Sequence, residues 1–151
     1  MQVKPRPDWD EYFLAIAQVV SRRSTCLRRQ YGALIVKDRI IVSTGFNGAA
    51  RGLPNCVDTG ECIRRKMNVP SGERYELCEA VHAEQNAIIS GDPVKMKGAT
   101  IYVAGFNYAD GSLALAKPCK LCARMIRNAL ISDIVYYDAE GKIVRQAVFA
   151  E

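Results

Sequence analysis

The chain has 151 residues, 49% apolar and 25% charged, with a net charge of +5. Such a composition is globular and soluble, long enough for one domain with a sizeable core. The longest apolar run, Tyr12 to Val20, is too short to cross a bilayer and contains Gln18, which excludes a membrane span there.

Nothing resembling a secretory signal precedes that run, so a cytosolic protein is expected. Six cysteines in a reducing compartment then point to metal or catalysis in place of disulfides. The positive charge suits an anionic small substrate. It is weak evidence for nucleic acid, which is not expected as a partner.

In chain order, Asp8 and Glu11 form the start signal of a helix, as N-cap and capping-box partner. Trp9, Phe13, Ile16, Ala17 and Val20 recur at helical spacing and are expected to bury one face. Four arginines follow (Arg22, Arg23, Arg28, Arg29) around Ser24, Thr25 and Cys26. They read as a solvated basic turn or as a phosphate clamp, since a guanidinium grips phosphate with two bonds. Gly32–Val36 and Ile40–Thr44 read as two strands of a hairpin turning at Lys37-Asp38-Arg39. Gly45-Phe46-Asn47-Gly48 then marks either a plain turn or a close approach of backbone to ligand.

From Ala49 to Leu77 the chain shows little periodicity, and a loop over 49–78 is expected. Cys26, Cys56, Cys62 and Cys78 lie in or beside it. They could close a second, structural zinc site, or be buried free thiols. A helix starts at His82 and stops at Gly91-Asp92-Pro93. Thr100–Ala104 is a strand, and Gly105–Lys117 a loop with a candidate hairpin excursion at Asp110-Gly111. A helix from Cys119 to about Leu130 follows, then strands at Ile134–Tyr137 and Ile143–Phe149 around the turn Ala139–Lys142. Helices alternating with strands imply an α/β layer architecture.

The chemistry concentrates in Val81-His82-Ala83-Glu84-Gln85-Asn86 and Pro118-Cys119-Lys120-Leu121-Cys122. His82 is the only histidine of the chain. One imidazole and two thiolates make three zinc ligands and leave a fourth position for water, the composition of a catalytic site. Zinc lowers the pKa of such a water to about 7. Glu84 is not needed as a ligand and is free to move a proton. Pro118 suits the approach to a helix start, and Cys119 and Cys122, three apart, share one face. Taken singly, each part has an ordinary explanation: a satisfied histidine, a redox pair or half a zinc ribbon, a solvated glutamate. Their order and their flanking helices favour the site.

His82-Ala83-Glu84 with Pro118-Cys119-x-x-Cys122 resembles the zinc-dependent cytidine deaminase superfamily. Within it the chain is most similar to deoxycytidylate (dCMP) deaminases. The similarity runs over Trp9-x-x-Tyr12-Phe13, Arg23-Ser24-Thr25-Cys26-x-Arg28, Gly32-Ala33-x-Ile35-Val36, Gly45-Phe46-Asn47-Gly48 and Gly52-Leu53-Pro54-x-Cys56. The resemblance implies a single domain over 1–151 with a three-layer α/β/α fold around a mixed sheet of about five strands. It implies hydrolysis of dCMP to dUMP and ammonia, supplying thymidylate synthesis, in a homohexamer activated by dCTP with Mg2+ and inhibited by dTTP. It assigns His82, Cys119 and Cys122 to zinc and Glu84 to proton transfer. Arg28, Asn47, Ser24, Ala83 and Tyr136 fall to the substrate, and Gly45, Phe46, Asn47, Gly48 and Gly52 to an allosteric nucleotide loop. It also places relatives' second-zinc cysteines at Cys26 and Cys56, with Cys62 and Cys78 to complete the set.

Two departures stand out. Ala104–Lys117 carries extra residues at the pocket rim, and a longer C-terminal helix of relatives has no counterpart before Glu151. The rival readings are a tRNA adenosine deaminase, a free cytidine deaminase, and a zinc-binding module without catalysis.

Overall fold

In the computed structural model, residues 2–149 are described. Met1, Ala150 and Glu151, part of the expected 1–151 domain, lie outside the described residues. Helix α1 (Trp9–Ser21) begins where its cap places it: the Asp8 carboxylate accepts from Glu11 N at 2.8 Å. Strands β1 (Arg29–Lys37) and β2 (Ile40–Phe46) form the expected hairpin, longer at both ends than its apolar runs. Asp38 (φ 51°) and Arg39 (φ 63°) are both left-handed, as the two central residues of a type I′ turn must be.

Strands β5 (Thr100–Asn107), β6 (Asp133–Tyr137) and β7 (Ile143–Ala147) complete a five-stranded sheet of order β2-β1-β5-β6-β7. Only the β5–β6 pair is parallel, with Ile101 opposite Ile134 and Tyr102 opposite Val135. Helix α6 (Lys120–Asn128) lies between β5 and β6 in the chain, as a parallel pair demands.

Strict alternation along the central strands supplies two cores. Leu34, Val36, Tyr102, Ala104 and Val135 face one side and pack with Phe13, Leu14 and Ala17 of α1. Ala33, Ile35, Ile101, Val103, Ile134 and Tyr136 face the other, with Ala83 and Ala87 of α4 (Ala83–Ser90) and Ile126 of α6. The result is the three-layer arrangement expected, with a mixed sheet covered on both faces.

Two expectations need correction. Trp9, read as part of the buried stripe, is 48% exposed: it opens the first turn of α1 and stacks on Phe13, with the Arg39 guanidinium over its ring. Leu14 takes the buried place. The 49–78 stretch is also not one loop. It holds helices α2 (Cys56–Thr59) and α3 (Ile63–Lys66) and a 3-10 turn at Tyr75–Leu77, and its two ends are drawn together by a two-residue ladder between β3 (Gly48–Ala49) and β4 (Ala80–Val81). Helix α5 (Pro93–Met96) follows α4. No described helix is long and apolar enough to cross a membrane.

Candidate active site

Two helix starts build the centre. His82 is the N-cap of α4, and Cys119 is the N-cap of α6, with Cys122 one turn in. The β3–β4 ladder delivers His82 into place: Val81 pairs with Gly48, so the histidine follows directly from a strand fixed to the end of the hairpin. Gln85 Oε1 accepts from His82 N at 2.8 Å, closing the first turn of α4. His82 Nδ1 then lies 3.6 Å from Cys119 Sγ and 3.2 Å from Cys122 Sγ. With Zn–S near 2.3 Å and Zn–N near 2.0 Å, tetrahedral ligation separates nitrogen from sulfur by about 3.5 Å. The donor set fits zinc in kind and spacing. Among the described residues it is the one group of three or more His, Cys, Asp or Glu whose ligand atoms lie within 4.8 Å of one another.

The electrostatics follow from burial and from this contact. The hydrogen bond from Cys122 pulls the Cys119 thiol well below its ordinary range, while the same bond, with burial, pushes Cys122 up. The Cys119 contact raises His82, against burial, which lowers it. Metal binding therefore displaces protons from this cluster. Glu84, the second residue of α4, is 6% exposed, and burial pushes its carboxyl above the usual range.

Helix α4 is held tightly against β2. Ser43 Oγ donates to Ala87 O at 2.7 Å, and Asn86 Nδ2 donates to Phe46 O at 2.8 Å. A Cβ on Gly45 would collide with the Ala83 carbonyl oxygen and the Ala87 backbone nitrogen, and would sit 3.0 Å from the Asn86 carbonyl carbon. Close approach is thus the reason for glycine at 45. Gly45→Ala should cost about 1–3 kcal/mol of stability, read by denaturant unfolding, because backbone on both sides must give. It should also lower turnover, since α4 carries Glu84. An unchanged unfolding midpoint would show that α4 is free to shift.

The centre lies in a cavity of about 940 Å³. Arg28, Asn47, Ala83, Tyr31 and Gly48 line it together with His82, Glu84 and Cys119. Asn47 is buried and already employed: its Oδ1 accepts from Tyr31 N at 2.8 Å and its Nδ2 donates to Arg29 O at 2.9 Å, so its amide continues the ladder of β1. Two residues read as substrate contacts are placed elsewhere. Ser24 turns inward, 6% exposed, with its Oγ accepting from Cys26 N at 3.3 Å, and Thr25 takes its place on the wall. Tyr136 is core, 7% exposed in the cluster under α4 and α6, because it shares its sheet face with Ile134. Of the glycine-rich segment, Asn47 and Gly48 reach the cavity wall, whereas Gly45 packs on α4, Phe46 is 38% exposed on β2, and Gly52 (φ 85°) has nothing within 4 Å of a Cβ.

Cys26, Cys56, Cys62 and Cys78 also line the cavity, and all are free thiols. Burial first, then the neighbouring Cys26, Cys62 and Cys78, raises the Cys56 thiol, so the four share one neighbourhood. They do not draw together at ligation distance as the catalytic trio does. The rim expected from Gly105–Lys117 is a small hairpin: Phe106 bridges Leu113, Asn107 N donates to Ser112 O at 2.8 Å, and Ala114 N to Gly105 O at 2.9 Å. Tyr31 Oη ties it down by donating to Leu115 O at 3.2 Å.

Residues 7–138 match the family described as the cytidine and deoxycytidylate deaminase zinc-binding region. The chain belongs to this family. It is 40% identical to the deoxycytidylate deaminase of Mycobacterium phage D29 over 136 residues, 87% of this chain and 95% of that one. It is 33% identical to the deoxycytidylate deaminase of Saccharomyces cerevisiae over 132 residues, 87% of this chain but 38% of the longer yeast protein. Among solved structures, the dCMP deaminase of cyanophage S-TIM5 in complex with dCMP and dUMP aligns with a TM-score of 0.58 and 25% identity, covering 89% of this chain and 85% of that one. The matched zinc-binding region includes His82, Cys119 and Cys122, the donor group that the structure brings together.

Sequence reasoning passed over Thr25, Tyr31, Arg64 and Tyr75, all of which line the cavity. Thr25 carried a signal, in the arginine-flanked Ser24–Cys26 cluster, and so did Tyr31, as a large residue just before the Gly32–Val36 strand. Arg64 and Tyr75 fall in the aperiodic stretch, where nothing marks one side chain over another.

Proposed function

We propose that this chain hydrolyses deoxycytidylate to deoxyuridylate and ammonia. One observation carries the reading: His82, Cys119 and Cys122 converge beside the buried Glu84 in a cavity large enough for a nucleotide and walled by arginines. Bound by the trio, zinc supplies the Lewis acid that makes water a nucleophile near neutral pH. The remaining work falls to the protein. Glu84 takes a proton from the attacking water and gives it to N3 of the cytosine; it then takes the remaining proton of the hydroxyl added at C4 and gives it to the amine as the C4–N bond breaks, leaving a carbonyl at C4 and free ammonia. Its burial suits this, since desolvation raises the carboxyl pKa and so favours the proton-carrying form between the two transfers. Arg28, on the cavity wall, is the candidate grip on the phosphate. The Asn47 amide fixes the hairpin end that faces the sugar.

The finer assignments belong to the same proposal. Product dUMP feeds thymidylate synthesis, dCTP with Mg2+ activates and dTTP inhibits through the Gly45–Gly52 segment, and the working form is a homohexamer. Cys26, Cys56, Cys62 and Cys78 take a second, structural zinc, supported by their shared neighbourhood. The cytosolic location rests on six free cysteines.

The test is ammonia release from dCMP with and without dCTP and magnesium, beside cytidine, dCTP and adenosine in tRNA. Turnover of dCMP above all other wells is expected, rising with dCTP. Activity confined to cytidine or to tRNA adenosine would overturn the substrate while leaving the chemistry. Bound zinc with no ammonia from any well would leave a zinc-binding module.

A further inference from the structure

Tyr75, in the 3-10 turn before β4, presents its ring edge-on to His82, with ring centroids 5.3 Å apart and planes at 71°. Metal-ligating histidines are ordinarily oriented by a hydrogen bond to the ring nitrogen away from the metal. The described side-chain hydrogen bonds of His82 both use Nδ1, the nitrogen that faces the sulfurs. The ring of Tyr75 is the contact that can set the plane of the imidazole.

Behind Tyr75 stands Arg64, 6% exposed despite its charge. A buried arginine normally finds a carboxylate. Among the described residues Arg64 forms no ion pair. Its Nη1 donates to Arg74 O at 3.0 Å, its Nη2 to Pro70 O at 2.9 Å, and its Cζ lies 5.3 Å from the Tyr75 ring centroid. Between them Arg74 is left-handed (φ 50°, ψ 50°), a conformation that a non-glycine residue keeps only where its surroundings hold it. If the segment only needed filling, an apolar side chain at position 64 would do at lower desolvation cost. A planar fork gripping two carbonyls and a ring at once is directional.

We infer that Arg64 and Tyr75 are positioning residues of the metal centre: Arg64 locks the 70–75 segment in its strained form, which sets the Tyr75 ring against His82 and fixes the imidazole for ligation. This rests on His82 being a zinc ligand, as the proposed function has it. The phenol also neighbours the Cys119 thiol, but the contact that orients His82 is made by the ring, which Tyr75→Phe keeps.

The experiment measures zinc transfer from the purified protein to a chelator, and the absorption bands of the Co2+-substituted protein, for wild type, Tyr75→Leu, Tyr75→Phe and Arg64→Met. Tyr75→Leu and Arg64→Met should release zinc about 10–100-fold faster and shift the Co2+ bands, with Tyr75→Phe within about threefold of wild type. Release at the wild-type rate from Tyr75→Leu, with unchanged Co2+ bands, would overturn the inference. Tyr75→Phe behaving like Tyr75→Leu would overturn it too, by moving the role to the hydroxyl. So would loss of a cooperative thermal transition in Tyr75→Leu, since the ring would then hold the fold and not the centre. Wild-type protein that binds no zinc would instead overturn the metal reading beneath it, and that result is separate from all three.

Discussion

Glu84→Gln should lower turnover of the proposed substrate by about 10²–10⁴-fold while zinc content stays at the wild-type level. Gln keeps the shape and one acceptor oxygen of the side chain but cannot take a proton from water or give one to the leaving amine. Glu84 is not one of the three clustered donors, so ligation has no reason to change. The same substitution should make the metal-free protein more stable at neutral pH. The folded chain holds the Glu84 carboxyl above its ordinary pKa because it is buried. The folded state thus binds more protons than the unfolded state, and stability falls as pH rises from the ordinary carboxyl value through the raised one. Gln carries no such cost. A gain of about 1–2 kcal/mol is typical where function holds a strained group in place, roughly 2–8 °C in melting temperature for a chain of this size. Below the ordinary carboxyl range both states are protonated, and the gain should vanish. Full activity in Glu84→Gln would remove Glu84 from the mechanism. A neutral-pH melting temperature at or below wild type would show that the carboxylate has a compensating partner.

The parts of this site that were legible in sequence are those set by local chemistry. Asp8, Pro118 and the apolar runs after His82 and Cys119 mark helix starts, and a helix start carries its N-cap to a defined place. The metal trio follows from two such starts. Residues whose position depends on a sheet face were harder. β6 is buried on both sides, so no alternation in Ile134–Tyr137 distinguishes inward from outward tyrosine, and Tyr136 proved to be core. The ladder of Gly48–Ala49 with Ala80–Val81 is two residues long and has no period to read. Helices of four residues, such as Cys56–Thr59 and Ile63–Lys66, are likewise too short for a periodic signal. Arg64 illustrates the limit best. Composition sends an arginine to the surface, and only the carbonyls of Pro70 and Arg74, brought to it by the fold, show why this one is buried.

Cys119→Ser should separate metal binding from folding. Cys119 occupies the N-cap of α6 without making a side-chain capping bond. Serine is among the preferred residues at that position, and a capping hydroxyl there contributes about 0.5–2 kcal/mol relative to a residue that cannot cap. The metal-free variant should therefore melt at or above the metal-free wild type. Its affinity for zinc should fall by at least about a hundredfold, because a neutral hydroxyl replaces a thiolate in a three-ligand site. Cys122→Ser should behave differently. Cys122 is fully buried inside α6, where a hydroxyl must find a partner or be left unsatisfied. That variant should lose zinc and also about 1–3 kcal/mol of metal-free stability. Zinc content after dialysis against a chelator, and thermal unfolding of both metal-free variants, read the two effects apart. Cys119→Ser holding a full equivalent of zinc would remove Cys119 from the ligand set. Equal loss of metal-free stability in both variants would show that the thiol of Cys119 is there for packing, which its position at a half-buried helix start argues against. The placement of Cys119 has a physical logic: α6 gives up a side-chain capping bond so that a thiolate stands at its positive end, where the N-terminal field favours it, while His82 starts α4 within a capping box closed by Gln85.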